Sequence, residues 1–125
     1  MAQKEKDLLL KDLSARLLYG VKIWFAESNS NDHLQSIWYD NLEGWQVDGD
    51  NLSAPVYAVK PYLFPLSSMT EEQKREYHEL IGGMFGTSAL INFEVLTDFF
   101  NKNHFDYRGL IPMGLAIDAT NKNIY

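Results

Sequence analysis

The chain has 125 residues, a formal net charge of −6 and no cysteine, which excludes disulfides, thiolate metal sites and a cysteine nucleophile. Its length suits one domain that buries its own core, and 46% apolar residues with no long charged or low-complexity block exclude wholesale disorder. No apolar run approaches the roughly 18–20 residues of a membrane span, and the charged start has no apolar signal-peptide core, so a cytoplasmic protein that avoids membranes is expected.

Residues 4–19 have the period of an amphipathic helix. Leu9, Leu10, Leu13, Leu17 and Leu18 recur at spacings of three and four, with Lys4, Lys11 and Arg16 off that stripe. Gly20 follows at the position where a left-handed residue ends a helix. The period then falls to two: Val21, Ile23 and Phe25 alternate with Lys22, Trp24 and Ala26, the pattern of a strand. Residues 27–33 are a polar turn cluster. LQSIWYD predicts a second strand, Asn41–Gly44 a turn, GWQVDGDN a short strand and PVYAVK a last one. Pro61 and Pro65 then argue against its continuation as a central strand.

Helical character returns after Thr70. Thr70 and Gln73 form a capping box, and Glu71 and Glu72 sit where the helix dipole favours acids. Tyr77, Leu80 and Ile81 make the apolar face, Gly82 and Gly83 are expected to stop the helix, and GMFGTS is expected to be a loop. A third helix over about 92–103 presents Phe93, Val95, Leu96, Phe99 and Phe100 on one broad side. The predicted fold is α+β, one domain over 1–125. It has an N-terminal helix, a small antiparallel sheet of about four strands, SH3-like and partly barrelled, and two to three C-terminal helices packed on it.

Residues 21–60 hold two lysines (Lys22, Lys60) against six acids (Glu27, Asp32, Asp40, Glu43, Asp48, Asp50), which is −4 of the total charge. An acidic middle without a basic stripe repels a phosphate backbone, so no nucleic-acid partner is expected.

Three stretches, KDLSARLLYGVKI, VKPYLFPLSSMTEEQ and NKNHFDYRGLIPMGLAIDAT, resemble a family of small uncharacterised proteins of gut Bacteroidetes and their phages and prophages. The similar segments span 7–23, 59–73 and 101–120, while 24–58 has no residue-by-residue match. The resemblance implies an origin and carries over no activity, cofactor or functional residue.

Two candidate sites follow from residue types. NKNHFDYRGL gathers His104, Asp106, Tyr107 and Arg108 within five residues. A hydrolase would use His104 as base, Asp106 as orienter and Arg108 as an oxyanion or phosphate clamp. Nothing resembling a nucleophile motif accompanies them, and Gly109 and Pro112 argue for a turn. The structural alternative is preferred: Asn103 and His104 end the third helix, Phe105 enters the core, and Asp106 accepts from the backbone N–H of Arg108 or Gly109 to cap a short helix. Arg108 then pairs with a carboxylate or carbonyl elsewhere. The three histidines, His33, His78 and His104, show no metal-ligand spacing, and GGMFG lacks the lysine and βαβ context of a phosphate loop, so no metal and no cofactor are expected.

The second candidate is aromatic. Trp24, Trp38, Tyr39, Trp45, Tyr57, Tyr62 and Phe64 all fall in the β part. Trp24 and Trp38 are out of phase with their aliphatic neighbours, so either they share an exposed outer face or a helix covers that face. An exposed aromatic patch ringed by acids has the character of a protein-binding surface. The expected function is therefore a non-enzymatic interaction or adaptor module, binding a protein or a second copy of itself through Trp24, Trp38, Trp45 and Tyr57. The alternative is the small hydrolase.

Overall fold

The computed structural model describes residues 1–83 and 89–125. In chain order it has α1 (Gln3–Arg16), β1 (Lys22–Phe25), β2 (Ser30–His33), β3 (Ser36–Asp40), β4 (Gly44–Asp48), β5 (Ser53–Pro55), β6 (Val59–Leu63), α2 (Glu71–Gly83), α3 (Ala89–Lys102) and β7 (Ile117–Asp118). The strands form two sheets, ordered β2-β1-β6-β7 and β3-β4-β5. The fold is α+β. Neither sheet closes into a barrel among the described residues, and β7 joins β6 in parallel while the other strand pairs are antiparallel.

Helix α1 buries Leu9 and Leu13 completely. After Arg16 the helix tightens into a 3-10 turn, Leu17–Tyr19, and Gly20 ends it with φ +69°. The tighter turn rotates the last residues out of the α-helical stripe, so Leu18 is 92% exposed although its spacing placed it inside. Strand β1 keeps its predicted alternation, with Val21, Ile23 and Phe25 buried.

Three elements differ from the sequence expectation. The polar cluster at 27–33 turns only as far as Asn29 (φ +47°), and its second half is strand β2, paired with β1 from Lys22↔His33 to Phe25↔Ser30. β2 is an edge strand with one neighbour, so backbone pairing forms it without apolar alternation. PVYAVK is not one strand: Pro55 ends β5, Val56–Ala58 is a 3-10 turn and β6 begins at Val59. Pro61 does lie in a central strand. Ala26 N–H bonds Ala58 C=O, so the alternation of the antiparallel ladder leaves the Ile23↔Pro61 pair without hydrogen bonds. The pairing with β7 starts only at Tyr62, so the missing N–H of Pro61 costs no ladder bond.

The capping box of α2 is present. Thr70 Oγ1 accepts the Gln73 N–H at 3.1 Å, and Gln73 Oε1 accepts the Thr70 N–H at 2.9 Å. The described part of α2 ends at Gly83, at the glycine pair expected to stop it. The expected GMFGTS loop lies, past Gly83, outside the described residues. In α3, Phe99 is buried while Val95 is 40% exposed, so the apolar side is narrower than its composition suggests.

The core has two clusters. Leu9 and Leu13 pack with Val21, Ile23 and Phe25, with Val47 of β4, with Val59 and Leu63 of β6, and with Leu110 and Leu115. Leu96, Phe99 and Phe105 pack with Phe64, Met69, Tyr77, Leu80 and Phe100. Residues 104–106 join the two, since Phe64 N–H bonds His104 C=O at 2.8 Å and Asp106 N–H bonds Phe64 C=O at 2.9 Å.

A buried ionic knot fixes α1 to this joint. Asp12 and Arg16 are both 0% exposed. Arg16 Nε donates to Asp12 Oδ2 at 2.8 Å, and Arg16 Nη2 donates to Asp12 Oδ1 at 3.1 Å and to the Phe105 carbonyl at 2.6 Å. Arg108 Nη1 donates to Asp12 Oδ1 at 2.9 Å. Removing one member of a buried ion pair costs about 3–5 kcal/mol because a charge is left uncompensated. Asp12→Ala strands two guanidinium groups, whereas Arg16→Met leaves Asp12 paired with Arg108. Urea unfolding should therefore place the midpoints in the order Asp12→Ala, then Arg16→Met, then Arg108→Met, then wild type. Equal midpoints for Asp12→Ala and wild type would remove the knot from any role in the fold.

Candidate functional site

The aromatic residues of the β part gather unevenly. Across β3, β4 and β5 one sheet face carries Ile37, Val47 and Ala54, which enter the first core cluster. One step further along, at the hairpin end, the same face carries the cross-strand pair Tyr39↔Trp45. Their rings meet edge to face, 5.3 Å between centroids, a favoured aromatic geometry. The hairpin closes through Asp40, whose Oδ1 accepts the Leu42 N–H at 3.0 Å, and through Gly44 at φ +84°. That left-handed backbone is one glycine adopts without steric cost.

Tyr39 and Trp45 border a cleft of about 300 Å³. Gln3, Lys6, Asp7 and Leu10 of α1 form its opposite wall, Glu43 stands at the hairpin, and Val56 and Tyr57 of the 3-10 turn complete it. Tyr39, Trp45 and Tyr57 are 57%, 43% and 53% exposed, and Leu42 at the hairpin tip is 94% exposed. The Lys6 ammonium sits over the Tyr57 ring at 5.2 Å. A cleft this small takes a side chain more readily than a cofactor.

The structure separates the four residues proposed to bind a partner. Trp45 and Tyr57 meet in the cleft, and Tyr39 joins them. Trp38 lies on the opposite face of its sheet, beside its cross-strand partner Gln46. The Ser53 hydroxyl, followed by Trp38 and Ser36, holds the Asp48 carboxyl below its ordinary range against the effect of burial. Trp24 belongs to the other sheet. Its Nε1 donates to Asn29 Oδ1 at 2.8 Å, and Lys60, opposite it in the register, lies over its ring at 5.9 Å. Trp24 and Trp38 thus share no face, because the strands that carry them are in different sheets.

His104, Asp106 and Arg108 are near one another but do not face a common space. Both Asp106 oxygens are held by local backbone, accepting the N–H of Leu110 at 2.8 Å and of Ile111 at 2.9 Å. The expected cap of a short helix through Arg108 or Gly109 is not formed: the donors lie further on, and Asp106 fastens a turn. Arg108 is committed to Asp12 and to the Tyr107 hydroxyl, at 2.9 and 2.8 Å, so it does pair with a carboxylate elsewhere in the chain. His104 has φ +60° and stacks on Tyr125 with 3.9 Å between ring centroids and 12° between planes. Its buried Nδ1 meets no hydrogen-bond partner among the described residues.

Tyr125 explains this stack. Its hydroxyl accepts the Lys22 N–H at 2.8 Å and donates to the Tyr62 carbonyl at 2.8 Å. β1 and β6 part after the Ile23↔Pro61 pair, so the phenol bridges the next ladder position. Burial pushes its pKa well up. Burial, and then the Arg16 charge, lower the His104 pKa from 6.5 to about 4.

Sequence reasoning missed one cluster. Asp32, His33 and Asp50 each bring a candidate ligand atom within 4.8 Å of the others. Asp32 Oδ2 already accepts the N–H of Asn51 and Leu52 at 2.8 and 3.2 Å, and its Oδ1 that of His33 at 2.9 Å. Burial opposes the Asp32 charge, but these donors outweigh it and hold the carboxyl below its usual range. The cluster fastens the 49–52 turn to β2. A Cβ on Gly49 would lie 2.5 Å from Asp32 Oδ2, so the turn needs glycine there. Only the folded register of β2 brings His33 and Asp50 together, and no spacing in the sequence marks them.

No family model, no curated protein and no solved structure matches this chain. Among the described residues, no helix is long and apolar enough to cross a membrane.

The His104 environment has a pH signature. The unfolded imidazole takes up a proton near 6.5 and the folded one only near 4. Between those values the unfolded state binds more protons, so stability is fully present above 6.5 and falls as pH drops toward 4. His104→Asn keeps a residue that tolerates positive φ and removes the titration. Thermal unfolding from pH 7 to 4 should show a shallower loss in the variant than in the wild type. Parallel curves would mean that His104 does not carry the difference.

Proposed function

We propose that this chain is a non-enzymatic protein-interaction module whose contact surface is the Tyr39–Trp45–Tyr57 cleft. The observation that carries this is the convergence of three half-exposed aromatic rings from three separate elements on one cleft, with Leu42 exposed at the tip of the hairpin that supplies two of them. Large aromatics at the centre of a contact carry most of the binding energy in protein interfaces. Trp45 and Tyr57 are the primary contact residues, with Trp38 and Trp24 outside the cleft. The partner is a protein or a second copy of this chain, acting in the cytoplasm without nucleic acid or membrane. The resemblance to small Bacteroidetes phage and prophage proteins fits this role, since adaptors and inhibitors are frequent among such proteins.

The hydrolase alternative required His104, Asp106 and Arg108 to converge on one pocket. Asp106 and Arg108 are each committed to structural partners, which favours the interaction role.

The test is capture by the tagged full chain from a lysate of its native host, read by mass spectrometry, with light scattering on the pure protein. Trp45→Ala and Tyr57→Ala should each cut capture of a stoichiometric partner by tenfold or more, in line with the roughly 2 kcal/mol or more of an interface hot spot. Trp38→Ala should leave it unchanged. If light scattering shows an oligomer that Trp45→Ala dissociates, the partner is a second copy. A partner or oligomer insensitive to both cleft variants would overturn the assignment.

A further inference from the structure

The cleft combines π faces with carboxylates. Tyr39, Trp45 and Tyr57 supply the rings, and Asp7 and Glu43 stand at opposite walls, one on α1 and one on the hairpin. An aromatic face attracts a cation, and a guanidinium also stacks on the ring and reaches a carboxylate through its fork of N–H donors. The cleft already holds one cation of its own, since Lys6 lies over Tyr57 at 5.2 Å. The only lining charge that opposes a cation is that same Lys6; the others are Asp7 and Glu43. Asp7 Oδ1 accepts only a neutral amide, Gln3 Nε2, at 2.9 Å among the bonds that the described residues show.

We propose that the cleft recognises an arginine side chain of a protein partner. The guanidinium stacks against Trp45 and Tyr57, pairs with Asp7 and Glu43, and takes the place of the Lys6 ammonium. This inference rests on the interaction role proposed above and names the chemistry of the residue that enters the site. Charge complementarity supports the choice: the chain is −6 overall, and a basic partner segment would be drawn to it. The small volume, about 300 Å³, suits one side chain. Arginine fits better than lysine because a planar guanidinium stacks on a ring and still reaches a carboxylate through its fork of donors.

The test is a titration of the ¹⁵N-labelled full chain with N-acetylarginine amide, read at the three tryptophan indole N–H signals. Trp45 should shift saturably while Trp24 and Trp38 stay in place. Lys6→Ala should tighten binding about threefold by removing the internal competitor, a change of the size expected for an exposed cation–π contact. Asp7→Asn combined with Glu43→Gln should weaken it about tenfold, as loss of two charge-assisted contacts would. Tyr57→Leu should weaken it with the fold intact, since Tyr57 is half exposed. N-acetylnorleucine amide producing the same Trp45 shift as the arginine probe would overturn the inference, as would tetramethylammonium binding while the arginine probe does not, or equal shifts at all three indoles. Protein capture separates this inference from the interaction role. Capture that fails in Trp45→Ala but persists in full in the double carboxylate variant overturns arginine recognition and leaves the module standing. Capture unaffected by Trp45→Ala, beside saturable arginine binding at Trp45, overturns the module and leaves the cation site.

Discussion

The fold depends on one buried carboxylate. Asp12 sits on α1 with no exposure and is the shared acceptor of Arg16 and Arg108. Arg16 also holds the Phe105 carbonyl, and both guanidinium groups lie over the Tyr107 ring, at 5.2 and 4.5 Å. Tyr107 in turn donates to Asn101 at 3.0 Å and stacks on Phe100. One helix is thereby tied to the end of α3 and to the turn that follows it. The knot adds a fixed polar geometry to the apolar packing between α1 and the 104–108 joint. Apolar packing alone specifies position loosely, whereas a buried ion pair is satisfied in one geometry and strongly penalised in others.

The same joint explains why the HFDYR stretch resembles chemistry. It concentrates polar residues because five structural tasks meet there. Asn103 and His104 terminate α3, Asp106 collects the N–H groups of Leu110 and Ile111, and Arg108 completes the knot. His104 takes a left-handed backbone and presents its ring flat to Tyr125. Tyr125 then bridges β1 and β6 where their own ladder has parted. Of the side chains that a hydrolase would need free, Asp106 is occupied in holding backbone and Arg108 in pairing with Asp12, while His104 lies stacked on Tyr125.

What could be read from the sequence follows the range of the physics involved. Local signals were legible: the leucine spacing of α1, Gly20 as its left-handed end, the alternation of β1 and the Thr70–Gln73 cap all act within a turn or two of chain. The α+β order of elements was legible for the same reason. Strand β2 was not, because a polar edge strand is formed by its neighbour's backbone and its own composition resembles a turn. The place of Pro61 was hidden too, since whether a strand tolerates proline depends on which side of the ladder its nitrogen faces, and that is set by register. Arg16 lay off the apolar stripe by pattern and is fully buried in fact, because the Phe105 carbonyl to which it donates arrives from far along the chain, as does Arg108, which shares its acceptor Asp12. At the candidate site, Trp45 and Tyr57 could be named from their residue type, but Tyr39 was only counted among the aromatics. The grouping of all three depends on α1 ending its core contacts before the hairpin does.

That last constraint also gives the cleft its character. Leu9 and Leu13 of α1 cover the sheet over Val47 and the β1 residues, and the earlier turn of the helix brings Gln3, Lys6 and Asp7 to the level of Tyr39 and Trp45. An apolar helix face there would have buried the rings as ordinary core. A polar first turn leaves them half exposed, keeps the helix end solvated and places one carboxylate and one ammonium beside three π faces. Lys6 covers part of this surface in the free chain, lowering the exposed apolar area without filling the cleft, as a long amphipathic side chain can. Its stem is flexible and its contact with Tyr57 is of the weak, exposed kind. The covering is thus of a kind that a better cation displaces readily, which is what the proposed arginine site requires.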